Sequence, residues 1–75
     1  MTRHRSARET ARAIRYPVML ESTKGRISAG FTMPATSNPV DVAMRLRERG
    51  YDPYRIRLED DGAWVATLID WKKAA

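Results

Sequence analysis

From Ala13 the chain alternates. Ile14, Tyr16, Val18 and Leu20 fall on one side, while Arg15, Pro17, Met19 and Glu21 fall on the other. A period of two with one apolar side predicts a strand that buries one face. Pro17 has no N–H to donate, which suggests an edge strand or a bulge. Ser22-Thr23-Lys24-Gly25 reads as a turn. A second alternating run follows, with Ile27, Ala29, Phe31 and Met33 opposite Arg26, Ser28, Gly30 and Thr32. The two runs make an antiparallel hairpin.

After a loop from Pro34 to Asn38 the period changes. Asn38 is a good N-cap, Pro39 suits the first helical position, and Asp41 complements the positive end of a helix. Val42, Ala43 and Leu46 form the buried stripe, flanked by Val40 and Met44. Gly50 suits the residue after the C-cap, with Arg45, Arg47 and Arg49 near the negative end. Asp41 and Arg45 stand at i,i+4.

Alternation returns after Tyr51-Asp52-Pro53, with Tyr54, Ile56 and Leu58 against Arg55, Arg57 and Glu59. Asp60-Asp61-Gly62 is a hairpin turn, and the fourth strand, Ala63 to about Trp71, is apolar on both faces. The fold class is therefore α+β: a four-stranded, mainly antiparallel sheet in β-β-α-β-β order with one helix packed on one face. The helical connection between strands two and three is right-handed if those strands are parallel neighbours.

The last hairpin has two registers. A two-residue Asp61-Gly62 turn pairs Leu58 with Val65 and sends Val65, Thr67, Ile69 and Trp71 to the core. A three-residue Asp60-Asp61-Gly62 turn shifts the pairing by one and sends Trp64, Ala66 and Leu68 inward instead. The second is favoured, because a left-handed third residue suits Gly62. In either register Arg55 and Arg57 share the uncovered face with one tryptophan, Trp64 or Trp71, and Arg15 joins them. Arginine with an aromatic and aliphatic neighbours is the composition of an interaction surface.

With 75 residues the chain is one domain with a thin core. It holds no cysteine and one histidine, His4, so disulfides and thiolate metal sites are excluded and a zinc site is not expected. No metal or cofactor is predicted. Pairing with a second copy, as a homodimer, is the remaining way to reinforce so small a core. Net charge is +5. Arg3, Arg5, Arg8 and Arg12 against Glu9 place much of it in residues 1–12, read as a flexible basic arm preceding a domain over residues 13–75. No apolar run suits a signal peptide or a membrane span, so a cytoplasmic location with no membrane partner is expected.

Catalytic pairs are not legible. The serines have no histidine on the folded body to activate them, Asp60 and Asp61 read as turn residues, and the glycines are too dispersed to cradle a phosphate. The expected function is non-enzymatic binding. Arg15, Arg55, Arg57, Trp64 and Trp71 are the candidate contact residues, and the arm adds on-rate. A small nucleic-acid-binding regulator using the same face and arm is the alternative. In size, in β-β-α-β-β order and in the run from Tyr54 to Ala66, the chain resembles small phage-encoded host-takeover proteins, including anti-CRISPR inhibitors. The resemblance covers residues 13–71 and carries no diagnostic motif. It implies a protein that blocks a CRISPR effector, a nucleoprotein complex, by filling its nucleic-acid groove or preventing nuclease recruitment. Anti-CRISPR proteins share no common sequence, so no residue roles carry over. Many are acidic DNA mimics, and this chain's positive charge departs from them. That departure implies docking on acidic protein surface or on guide-RNA or DNA phosphates.

Overall fold

The computed structural model describes residues 14–69. The basic arm and Trp71 lie outside them. Four strands, β1 (Arg15–Ser22), β2 (Gly25–Pro34), β3 (Arg55–Leu58) and β4 (Trp64–Thr67), and one helix, α1 (Pro39–Glu48), follow in the order β1-β2-α1-β3-β4.

The sheet is mixed, with spatial order β2-β1-β4-β3. β1 pairs antiparallel with β2, and β3 antiparallel with β4, while the central pair β1–β4 is parallel. β2 and β3, which α1 connects, sit at opposite edges and are not neighbours. Pro17 lies on an inner strand and marks a bulge. The β1–β2 register shifts between Pro17 and Met19, and pairing with β4 begins only at Val18. Across the bulge Gly30 takes φ +88° and donates its N–H to Ser28 Oγ at 3.0 Å.

α1 forms where the capping residues set it. Asn38 Oδ1 accepts from Asp41 N at 2.9 Å. At the other end Gly50 (φ +91°) donates to the Arg47 carbonyl and Tyr51 donates to the Leu46 carbonyl, each at 3.0 Å. That pair of bonds is a Schellman closure. Arg45 pairs with Glu48 at 3.5 Å. Val42 and Leu46 are fully buried, each contributing roughly 1.5–3 kcal/mol of apolar burial. They join Val18, Leu20, Met33, Trp64, Ala66 and Leu68 in one core.

The last hairpin uses the three-residue turn. Leu58 pairs with Trp64, Glu59 N donates to the Ala63 carbonyl at 2.8 Å, and Gly62 N donates to the Glu59 carbonyl at 2.9 Å. Asp61 Oδ1 accepts from Ala63 N at 3.1 Å, so this aspartate is occupied in the turn. Gly62 takes φ +86°, and a Cβ there would stand 2.9 Å from the Tyr16 ring. β4 ends at Thr67, well short of Trp71. Its neighbours run out there: β1 ends at Ser22, and Tyr54, just ahead of β3, makes the last bond to Thr67.

Candidate functional site

Side chains alternate along each strand, so the pairing rows decide which groups share the face away from α1. One row sets Glu21 beside Thr67 and Thr67 beside Arg55. The next sets Met19 beside Val65 and Val65 beside Arg57. β2 adds Arg26 opposite Glu21.

Four of these side chains close a ring of alternating charge. Arg57 Nη2 donates to Glu21 Oε2 at 2.9 Å and to Glu59 Oε2 at 3.2 Å, and Arg57 Nη1 donates to Thr67 Oγ1 at 3.2 Å. Arg26 donates to Glu21 Oε2 and to Glu59 Oε1, each at 2.7 Å. Hydrogen bonds from Arg57 and then Arg26 hold the Glu21 carboxyl at about 2. Glu59 is lowered by Arg26 first and Arg57 second. Both guanidiniums are raised in turn, Arg26 chiefly by Glu59 and Arg57 chiefly by Glu21. Two cations and two anions leave the ring neutral. Between Met19 and Arg57, Val65 is fully buried although it lies on the face away from α1. Long charged side chains cover apolar surface with their stems in this way.

In the register the structure adopts, the tryptophan expected on this face is Trp71, which lies outside the described residues. Trp64 is 3% exposed within the core, so it is a packing residue and cannot meet a partner. Arg57 is committed to its carboxylates. Arg15 starts β1 six residues before Glu21, about 20 Å along the strand. Its Nε and Nη2 donate to the Thr32 hydroxyl and carbonyl at 2.8 and 2.7 Å. Arg15 and Arg57 are therefore not brought together.

Arg55 is different. It is exposed, and its guanidinium makes no hydrogen bond or ion pair among the described residues. Beside it stands Tyr54, which sequence reasoning assigned to the core side of its strand. Tyr54 precedes β3 and is 67% exposed. A shallow groove of about 240 Å³ between α1 and β3 is lined by Val40, Arg47, Pro53, Tyr54 and Arg55. A second, of about 440 Å³, continues from Tyr54 to Thr23 and Ile69. Val40 is 65% and Ile69 86% exposed, so each of the two grooves that Tyr54 lines also holds one large exposed apolar side chain. Among the described residues Arg47 reaches only Asp52, at 3.9 Å. The signal available in the sequence was Pro53, which leaves Tyr54 just ahead of its strand, beyond the rows that the core covers.

Among the described residues no cluster of histidine, cysteine, aspartate or glutamate suits a metal ion, and no helix is long and apolar enough to cross a membrane. Ser22 accepts the Lys24 N–H in the β1–β2 turn, and Ser28 accepts the Gly30 N–H at the β2 bulge. No protein family, curated protein or solved structure matches the chain.

Proposed function

We propose that this chain is a non-enzymatic binding protein of the kind that phage and other mobile elements direct against a host nucleoprotein complex. In this reading it blocks a CRISPR effector sterically, and it meets its partner through the Tyr54–Arg55 edge. One observation carries the proposal. An exposed tyrosine, sharing its two grooves with Val40 and Ile69, stands next to an arginine with no carboxylate partner among the described residues. Tyrosine and arginine are the residues that most often dominate binding energy, and a central aromatic with a charged rim is the usual anatomy of a hot spot. The free charge of Arg55 favours acidic groups on the partner. A second copy of this chain fits less well, because a two-fold axis near the patch would set Arg47 and Arg55 against their own mates.

The test is a plasmid-interference assay in cells carrying a CRISPR effector, together with affinity capture of that effector by the tagged chain. The unmodified chain is expected to suppress interference and capture the complex. Tyr54→Ala with Arg55→Glu should weaken capture by at least about 30-fold, as loss of one hot spot of about 2 kcal/mol does, while the melting temperature holds. Undiminished capture by that variant would refute the assigned surface. Intact interference against each effector type tried would refute the function.

A further inference from the structure

A further concavity lies away from the Tyr54 edge, between β2 and α1. It is a groove of about 820 Å³ whose walls include Arg15, Arg45, Arg49 and Phe31, with Asp41 and Glu48. Three arginines and two acidic residues line it, and the three arginines are poorly neutralised. Arg15 is held by the uncharged Thr32 hydroxyl and carbonyl. Arg49 has no carboxylate partner among the described residues and lies over the Phe31 ring, 4.2 Å from its centre. Arg45 meets Glu48 at 3.5 Å with both side chains about 60% exposed, a pairing that water and salt screen readily. The contrast with the neutral ring on the sheet is direct. There the cations are spent on carboxylates, and here they are available.

We infer that the groove between β2 and α1 binds the phosphate backbone of a single-stranded nucleic acid. Each of its cations is arginine, whose planar fork takes two phosphate oxygens at once. Arg15 is already oriented by two bonds to Thr32, and Arg49 by the Phe31 ring, so little side-chain entropy is lost when they bind an anion. Stacked guanidinium and phenyl planes also offer a flat surface to an unpaired base. The site is independent of the Tyr54 edge and shares no residue with it.

The experiment is fluorescence anisotropy of labelled oligothymidylate and oligouridylate titrated with the full chain at about 50 to about 200 mM salt. Binding is expected to weaken linearly on a log–log salt plot. Three groove arginines contribute about 2 to the slope, at about 0.7 per phosphate on a single strand. Arg45→Gln with Arg49→Gln should flatten it by about 1.4 by the same rule. Arg49→Lys keeps the charge but loses the plane, and should lose affinity with little change of slope. The same flattening should appear when Arg3, Arg5, Arg8 and Arg12 are all glutamine, which separates the groove from the arm. Thermal melts accompany each variant, and if the double variant unfolds, Arg15→Gln carries the same test. Wild-type affinity and slope in the groove variants would overturn the inference. So would polyglutamate that binds the groove as tightly as the oligonucleotides, because the site would then serve acidic protein surface.

Discussion

Gly62 and Gly30 make a matched pair. Their backbone angles are nearly the same, φ +86° and φ +88°, in a region that side chains with a Cβ rarely adopt. They differ in what a Cβ would meet. At Gly30 nothing lies within 4 Å, whereas at Gly62 the Tyr16 ring stands 2.9 Å away. Substituting alanine at either site costs about 1–2 kcal/mol of backbone strain. About 0.4–1 kcal/mol of that is recovered from the stiffer unfolded chain. Gly30→Ala should therefore destabilise by about 1 kcal/mol. Gly62→Ala carries the same loss plus about 1–3 kcal/mol for forcing the ring aside, about 2–4 kcal/mol in all. A chain of 75 residues has roughly 4–11 kcal/mol of total stability at the usual density per residue. The second substitution therefore removes a large share of it. Urea denaturation followed by circular dichroism reads both values, and Tyr16→Ala in each background isolates the contact. In that double variant the extra loss at Gly62 should disappear. Equal losses at the two glycines would refute the reasoning, since Gly62 would not then lie against Tyr16, and the hairpin register that buries Trp64 would lose that support.

Two further outcomes follow from the ring and the core. Glu21 sits near 2 in the fold and in the ordinary carboxylate range when unfolded, and Glu59 is displaced in the same direction. Their stabilisation is complete above about pH 5 and is lost as pH falls towards about 2; melting temperatures over that window should fall less in Glu21→Gln with Glu59→Gln, and superimposable profiles would contradict the ring. Trp64→Ala should cost about 3–5 kcal/mol in a urea titration. Trp64→Phe should cost far less, because the indole N–H it deletes is buried with no hydrogen-bond partner among the described residues, and partner capture by the phenylalanine variant should be unaltered.

Much of the fold was legible because local chemistry and long-range packing agree on it. Asn38, Pro39 and Gly50 set the ends of α1, and each performs the role its type predicts. Asp60-Asp61-Gly62 selected the three-residue turn, because only a residue tolerant of positive φ closes it, and this turn placed Trp64 inside. Strand order was not legible, since it depends on which distant strands meet. Two residue-level signals bear on it. β4 is apolar on both faces, which fits a central strand whose two faces are both covered, and Pro17 allows an inner β1 only if the ladder is interrupted beside it.

The pairing of the candidate arginines was not legible for a related reason. Alternation put Glu21, Arg26, Arg57 and Glu59 on the polar sides of their strands, and the structure sets Glu21 opposite Arg26. The sequence could not show that β4 lies between β1 and β3 and presents Thr67 between the two halves of the ring. With β4 there, Glu21 reaches Arg57 across a single strand, a span of about 10 Å between backbones that two long side chains close easily. An arginine's availability is thus decided by strand order, which separates Arg57, held by two carboxylates, from Arg55, two residues earlier and held by none among the described residues. Both point from the same strand to the same face. Only Arg55 can offer its charge to a partner without first breaking an ion pair inside the protein. Any surface assigned to this fold should accordingly be built on the guanidiniums of Arg55, Arg15 and Arg49 before those of Arg26 and Arg57.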